Sequence, residues 1–204
     1  MSFNHVERES LEKRLERVKI SYFSRFMKDN AMVLDVGCGD GHISSMLKER
    51  YEVIGIDSRD RRKRRDFEFI KMDAFHMAFK DNTFDAVILS DILEHVENAE
   101  NLIKEAARVL KDGGVILFST VNRNIFYYPF LKMLDLIFSR GGYGAWERHE
   151  YPLLITPEEL DGMMKRAGMK KYHVTGVIPL ARRIILGKRM FPYYMGCYVK
   201  GKVY

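Results

Sequence analysis

Short apolar runs alternate with polar and amphipathic stretches over the first 121 residues of the chain. Five of the runs have the length of a buried β-strand: 31–36, 51–56, 67–71, 84–90 and 115–121. Residues 42–50 and 99–110 lie between them and predict helices, the second ended by Lys111-Asp112-Gly113-Gly114 as a helix stop and turn. Strands that alternate with helices are typical of a parallel sheet covered by helices on both faces. We therefore predict an α/β fold with a doubly wound, mostly parallel sheet.

Two features flank or interrupt this alternation. Leu11, Leu15, Val18 and Tyr22 recur at helical spacing among charged residues, which predicts an amphipathic N-terminal helix across the mouth or flank of the domain. Only about ten residues separate the end of the second strand, at Asp57, from the third strand, which is short for a parallel crossover that contains a full helix. We expect a stunted turn at this point.

The pattern changes after residue 121. Residues 125–138 form an interrupted apolar stretch, which we interpret as a core or lid helix because it is too short to cross a bilayer. A polar, Gly-containing loop is predicted over 139–150. Thr156-Pro157-Glu158-Glu159 then begins another helix, with Thr156 as the N-cap, Pro at the first helical position and Glu159 at the capping-box position.

Composition narrows the class of protein. With 204 residues, 47% of them apolar and 30% charged, the chain can form one domain with a sizeable core, and it is neither disordered nor integral to a membrane. The first twenty residues lack the apolar segment of a secretory signal. We expect a cytoplasmic protein. Cys38 and Cys197 are too few for a disulfide scaffold and lack the paired spacing of a zinc site, so we expect both to be reduced and buried.

The excess positive charge is concentrated in two segments. The net charge is +6, yet residues 163–204 contain ten basic residues and no acidic residue. Residues 59–65 contain six basic residues and one acidic residue. Both segments are compatible with a solvated surface, an anionic membrane or nucleic acid. In the C-terminal segment the basic residues alternate with apolar and aromatic ones, a mixture that suits contact with lipid or an apolar substrate.

A glycine-rich turn follows the first predicted strand, in the sequence Val33-Leu34-Asp35-Val36-Gly37-Cys38-Gly39-Asp40-Gly41. Residues without a side chain let a ligand lie against the backbone, and the start of the next helix offers unpaired N–H groups. The spacing is G-x-G-x-G rather than the G-x-G-x-x-G of dinucleotide-binding proteins.

Acidic residues follow the next two strands. Asp57 stands twenty residues after Gly37, where an acid accepts hydrogen bonds from both hydroxyls of a ribose. Asp73 is placed to accept a hydrogen bond from an adenine amino group, with Phe75 lining the ring pocket. We therefore predict cofactor contacts from the following residues: Asp35, Gly37, Cys38, Gly39, Asp57, Ser58, Asp73, Ala74, Phe75 and Ser90.

Taken in order, the strand, the glycine turn and the two acids resemble the class I S-adenosylmethionine-dependent methyltransferase family. The resemblance continues in Phe84-Asp85-Ala86-Val87-Ile88-Leu89-Ser90 and in Leu110-Lys111-Asp112-Gly113-Gly114-Val115-Ile116-Leu117. It implies a Rossmann-like sheet of seven strands that binds S-adenosylmethionine. A nucleotide-free α/β domain with accidental glycines is the alternative. The resemblance divides one domain into an N-terminal helix (1–30), a cofactor-binding core (31–121), a lid or substrate segment (122–160) and a C-terminal helix and strands (161–204).

Three residues after the fourth strand are candidates for chemistry on the methyl acceptor. Asp91, Glu94 and His95 are spaced i, i+3 and i+4, so they would share one face of a helix. Such a group could bind a divalent ion or hold a base for a hydroxyl acceptor. Acids at the start of a helix are also ordinary capping groups.

Further segments resemble the 3-demethylubiquinone 3-O-methyltransferase family, among them Asp91-Ile92-Leu93-Glu94-His95-Val96, Phe118-Ser119-Thr120-Val121-Asn122-Arg123-Asn124, His149-Glu150 and Tyr193-Tyr194-Met195. The resemblance implies methylation of a catechol-like hydroxyl on a polyprenylated ring, at a membrane surface. It also implies that Asp91, Glu94 and His95 form a site for a divalent metal such as Mg or for a base, and that Glu94, His95 and the loop residue His149 are catalytic. The family has Glu at the position of Asp91.

The sequence is also compatible with other functions. The acceptor could be another small or lipid-like molecule, and the basic segments would suit an RNA methyltransferase. Against RNA, the fourth strand is not followed by the Asn/Asp-Pro-Pro-aromatic sequence of enzymes that methylate base amino groups. A non-catalytic protein that binds S-adenosylmethionine is the third class.

Overall fold

The computed structural model describes residues 5–123, 151–179, 184–190 and 192–201, with side chains from residue 13 onward except that of residue 151. The predicted lid helix over 125–138 and the predicted loop over 139–150, with His149, lie outside the described residues.

One mixed sheet organises the described chain, in the order β3-β2-β1-β4-β5-β8-β6-β7. The first five strands are parallel, and β8, β6 and β7 complete one side of the sheet in antiparallel pairs. The strands are β1 (Met32–Val36), β2 (Glu52–Asp57), β3 (Glu68–Lys71), β4 (Phe84–Ser90), β5 (Leu110–Val121), β6 (Met169–Pro179), β7 (Ile184–Gly187) and β8 (Tyr193–Lys200). The α-helices are α1 (His5–Phe23), α2 (His42–Leu47), α3 (Ala99–Val109) and α4 (Pro157–Arg166). The α/β fold with a mostly parallel sheet is confirmed, but the described residues contain eight strands rather than the seven expected.

The sheet separates two apolar cores. Leu34 and Leu89 belong to the core formed with α3 and α4, whereas their neighbours Val33 and Ile88 belong to the core formed with α1 and α2. Successive side chains of a strand point to opposite faces, so β1 and β4 are buried on both faces. Burial on both faces explains why these strands appear in the sequence as continuous apolar runs.

The connection between β2 and β3 lies against the glycine-rich turn. No helix forms between β2 and β3, so the predicted stunted turn is confirmed. The N–H groups of Lys63 and Arg64 donate to the carbonyl of Asp40 at 2.9 and 3.1 Å, which ties this turn to the glycine-rich turn.

The Thr156 N-cap and its capping box with Glu159 are also present, as the sequence predicts.

The predicted turn at residues 111–114 is wrong. Strand β5 begins at Leu110, which pairs with Phe84, and the register shifts before Ala86 pairs with Val115. The four intervening residues form an irregular start of the strand, with Gly113 at φ +76°. Pairing with β4 therefore extends β5 through glycines that, by local preference alone, end a helix and form a turn.

Candidate cofactor and acceptor site

The predicted cofactor residues come together because the carboxyl ends of β1, β2, β3 and β4 meet at one edge of the sheet. β1 pairs with β2 on one side and with β4 on the other, so the strand order of the sheet reverses at β1. A crevice at such a point is where open α/β sheets bind ligands.

The glycine-rich turn is held open against this edge. The N–H groups of Gly37 and Cys38 both donate to the carbonyl of Ile56, at 2.8 and 3.0 Å. Gly39 has φ +55°, and a Cβ built there would meet no atom nearer than 3.9 Å. A Cβ on Gly37 would instead lie 2.5 Å from Cδ1 of Ile92. Gly37 therefore allows the segment after β4 to approach, and Gly39 leaves space for a ligand against the backbone.

Asp57 ends β2 directly beside the glycine turn and is almost completely buried, with 5% of its surface exposed. Its Oδ2 accepts hydrogen bonds from the N–H of Gly39 and from the guanidinium of Arg61, both at 3.1 Å. Its Oδ1 accepts one from the N–H of Arg59 at 2.9 Å. The buried carboxylate is thus oriented by two backbone donors and one exposed side chain.

Asp35 and Cys38, two of the predicted cofactor residues, are both buried beside the glycine turn. Asp35 is 2% exposed and accepts a hydrogen bond from Ser44 Oγ at 2.5 Å, which fixes α2 against β1. Burial raises the pKa of Asp35 to about 6 and that of the Cys38 thiol to about 12. We interpret both side chains as supports of the turn. Cys38 and Cys197 are both free and buried, as predicted.

Asp73, Ala74 and Phe75 follow β3 along the same edge. Asp73 accepts hydrogen bonds from the N–H of Phe75 and from Nδ1 of His76, both at 3.0 Å, and these two groups hold its pKa below the usual range. Phe75 is half-buried against the core, whereas Asp73 and Ser58 are exposed. The arrangement keeps a charged acceptor and an aromatic side chain close to the end of β3.

A hydrogen-bonded chain of side chains follows β4. Ser90 Oγ and Ser119 Oγ lie 3.0 Å apart, and Ser119 Oγ donates to Asp91 Oδ1 at 2.7 Å. Lys19, on α1, donates to Asp91 Oδ2. Asp91 has φ +53°, a strained conformation for a residue with a side chain. The N-terminal helix therefore reaches the mouth of the domain, as the sequence analysis allowed.

Glu94 is buried beneath this chain and is 1% exposed. It accepts a hydrogen bond from Thr120 Oγ1 at 2.8 Å. Burial, and next the negative charge of Asp91, raise the pKa of Glu94 to about 8. The carboxyl group is therefore protonated near neutral pH.

The predicted metal cluster does not form. In the described part of the chain no group of three His, Cys, Asp or Glu side chains could hold a metal ion. The expected helix is replaced by a single 3₁₀ turn, Leu93–His95, so Glu94 turns into the core while Asp91 and His95 stay exposed. With Glu94 buried and Asp91 and His95 exposed, the three side chains do not fit a shared site for Mg in this geometry.

Sequence reasoning missed three side chains of this edge. Lys19 is one of several charged residues in an amphipathic pattern, and Arg61 is one of a run of basic residues, so the sequence distinguishes neither from its neighbours. Thr120 lies in one of the segments that resemble the 3-demethylubiquinone 3-O-methyltransferase family, but nothing in the sequence pattern indicates that its hydroxyl faces Glu94. The predicted catalytic residue His149 lies outside the described residues.

Comparisons with known proteins agree with this geometry. Residues 7–174 match the family described as "Methyltransferase domain". The chain is 29% identical to a ubiquinone biosynthesis O-methyltransferase from Hydrogenovibrio crunogenus, over 93% of this chain and 84% of that protein. It is 31% identical to the protein of the same name from Aliivibrio fischeri, over 78% of this chain and 73% of that protein.

A solved structure shares the fold. The crystal structure of an S-adenosylmethionine-dependent methyltransferase from Thermotoga maritima, described as a possible histamine N-methyltransferase, superposes with a TM-score of 0.72 at 18% identity, over 94% of this chain and 91% of that one. The family match covers most of the chain and agrees with the glycine turn and acids at the sheet edge. The chain therefore belongs to the S-adenosylmethionine-dependent methyltransferase family and is an enzyme that uses S-adenosylmethionine.

Proposed function

We propose that this enzyme methylates a hydroxyl group of a small aromatic, quinone-type acceptor. The observation that carries the proposal is the exposed Asp91 carboxylate at the end of β4, bonded to Ser119 and Lys19 beside the glycine turn. An acid at this position can accept the proton of a hydroxyl acceptor. Relatives that carry the name ubiquinone biosynthesis O-methyltransferase support a quinone-type ring as the acceptor.

The cofactor residues fit S-adenosylmethionine. When bound, S-adenosylmethionine supplies an electrophilic methyl group. We assign the ribose hydroxyls to Asp57, the backbone contact to Gly37 and Gly39, and the adenine end to the segment from Asp73 to Phe75, with Ser58 and Ser90 on either side. The open space at Gly39 and the buried, oriented carboxylate of Asp57 support this assignment.

The protein groups around the acceptor would align the reacting oxygen and move its proton. Asp91 is held by Ser119 on one oxygen and by Lys19 on the other, so its carboxylate has a fixed direction. Glu94 lies behind it as a protonated, buried acid, and we retain Glu94, His95 and His149 as candidate catalytic residues. Holding two reactants in a productive geometry supplies much of the rate in displacement reactions of this kind.

The test uses methyl-labelled S-adenosylmethionine with a demethylated ubiquinol analogue that carries a short isoprenoid tail. We expect a labelled methyl ether in the organic phase, identified by mass spectrometry, and no label when the fully methylated analogue replaces it. Absence of label, from protein that binds S-adenosylhomocysteine normally, contradicts the proposed acceptor. A parallel incubation with cell extract, separated into organic, RNA and protein fractions, then identifies the alternative class.

Contact with an anionic membrane forms a second part of the proposal. The chain contains no helix, within the described residues, that is long and apolar enough to cross a bilayer. Strand β7 lies at one side of the sheet, and its Ile185 and Leu186 are 45% and 40% exposed. Lys188 and Arg189 follow directly and are exposed. Apolar side chains flanked by basic ones support peripheral binding to anionic lipid.

A further inference from the structure

Lys19 joins the N-terminal helix to the acceptor end of the sheet. Its Nζ donates to Asp91 Oδ2 across 72 residues of sequence, and only 14% of its side chain is exposed. Its positive charge also acts on Glu94, where it lowers the carboxyl pKa against the stronger effect of burial. Lys19 is thus a cation that contacts Asp91 and whose charge reaches Glu94.

A comparable ion pair at the opposite end of β4 has a more exposed lysine, whereas its acid is about as exposed as Asp91, at 45%. Lys111 Nζ lies 2.8 Å from Asp85 Oδ1, and the two side chains are 42% and 43% exposed. An ion pair in water contributes little, whereas a partly desolvated charge interacts more strongly with its neighbours. Lys19, with 14% of its side chain exposed, is therefore screened less by water than Lys111.

We propose that Lys19 is a catalytic residue that stabilises the acceptor oxygen as it becomes negatively charged. The inference rests on the proposed function, because it requires a hydroxyl acceptor beside Asp91. In the step, the hydroxyl proton passes to the Asp91 carboxylate, the oxygen forms a bond to the methyl carbon, and the carbon–sulfur bond breaks with its electron pair left on sulfur. The Lys19 ammonium lies beside the developing oxyanion, which is the usual role of a fixed cation in such sites.

The other titratable groups of this region come from three elements. Glu94 and His95 lie on the segment after β4. Glu16, on α1, lies 3.2 Å from Nε2 of His42 on α2. These groups could alter a simple pH profile, so the test measures ionisation of the acceptor itself rather than the pH dependence of the rate.

The first readout needs no turnover. 4-Nitrocatechol changes its visible spectrum when its hydroxyl ionises, and it is added to protein saturated with S-adenosylhomocysteine at a pH at which the free probe is mostly neutral. We expect the wild-type protein to increase the ionised fraction of the bound probe at least threefold. Lys19→Met abolishes the increase at saturating protein, whereas Lys19→Arg and the matched control Lys111→Met retain it. No increase with the wild type, or an equal increase with Lys19→Met, overturns the inference.

The second readout separates catalysis from docking of the helix. The short-tailed demethylated quinol is compared with an analogue that carries an electron-withdrawing ring substituent and therefore ionises more readily. We expect Lys19→Met to lower kcat/KM at least tenfold for the first acceptor and less than threefold for the second. An equal loss for both acceptors assigns Lys19 to helix docking and overturns the inference. Absence of methyl transfer by the wild type to either acceptor contradicts the proposed function as well.

Discussion

The guanidinium of Arg61 and the N–H of Gly39 donate to the same oxygen of Asp57, Oδ2, each at 3.1 Å. A carboxylate oxygen has about two acceptor sites, so Oδ2 is fully used, while among the described residues Oδ1 accepts only the N–H of Arg59. A ribose that donates to both oxygens must therefore displace one donor from Oδ2. Gly39 is fixed in the backbone of the turn, whereas the Arg61 side chain is 63% exposed. Arg61 is the donor that must leave.

Arg61→Met should therefore tighten cofactor binding. Removal of the competing guanidinium leaves one acceptor site free on Oδ2, and we expect the Kd for S-adenosylhomocysteine to fall about threefold, which corresponds to about 0.7 kcal/mol. Isothermal titration calorimetry measures the change. Arg65→Met is the matched control, because Arg65 is 68% exposed and contacts Asp60 rather than Asp57. Weaker binding by Arg61→Met would show that Arg61 supports the cofactor instead.

Asp57→Ala should weaken cofactor binding at least tenfold, or about 1.4 kcal/mol. The substitution removes the acceptor that we assign to the ribose hydroxyls. The same titration with S-adenosylhomocysteine gives the effect. Asp66→Ala is the control, since Asp66 is exposed and contacts Lys48 and Ser45. Unchanged affinity in a folded Asp57→Ala protein would remove Asp57 from the cofactor site.

Gly39→Ala should prevent cofactor binding while destabilising the fold no more than Gly113→Ala does. Gly39 and Gly113 both have positive φ, and a Cβ on either meets no atom nearer than 3.9 Å. Alanine at either position introduces a similar backbone strain of about 1–2 kcal/mol. We expect similar losses of stability in urea for Gly39→Ala and Gly113→Ala. Only Gly39→Ala should lose affinity for S-adenosylhomocysteine, by at least tenfold, and equal affinities would mean that no ligand lies against Gly39.

Glu94→Gln should become more stable relative to the wild type as pH rises. The pKa of Glu94 is raised from an ordinary value of 4.5 to about 8. Between these values the folded protein keeps a proton that the unfolded chain has lost, so the stability of the wild type falls as pH rises through this window. Glutamine cannot ionise and removes that contribution. Urea unfolding at pH 5.5 and 8.5 measures the difference between the two proteins, and an equal difference at both pH values refutes a protonated Glu94.

Ile185→Ser combined with Leu186→Ser should weaken binding to anionic vesicles. These two side chains are the exposed apolar residues of β7. We expect the wild type to sediment with vesicles that contain phosphatidylglycerol and not with neutral phosphatidylcholine vesicles, and the double variant to lose at least half of the sedimented fraction. Tyr172→Ser, which removes an exposed aromatic side chain of β6, is the control. Equal sedimentation of wild type with both kinds of vesicle assigns the basic segment to a solvated surface.

The order of elements was predictable because it depends on local patterns. Strands such as β1 and β4 are buried on both faces, so their apolar residues are consecutive and recognisable. The glycine turn and Asp57 could also be predicted, since the carboxyl ends of parallel strands meet at one edge whatever packs around them.

The start of β5 and the backbone after β4 could not be predicted in this way. Local preference at Gly113 and Gly114 favours a turn, yet pairing with β4 makes the segment part of a strand. Asp91, Glu94 and His95 have the spacing of one helical face, yet contact between Ile92 and Gly37 accompanies a left-handed residue and a single 3₁₀ turn in place of a helix.

The sequence by itself therefore determined the sheet, the glycine turn with the acids that follow the strands, and the family, because these follow from hydrophobic period and from residues close together in the chain. Tertiary structure decided the acceptor end. Lys19 and Asp91 are 72 residues apart, and Thr120 and Glu94 are 26 apart. Such pairs exist only when helices and strands from different parts of the chain are packed together, and their burial then decides which acid keeps its proton.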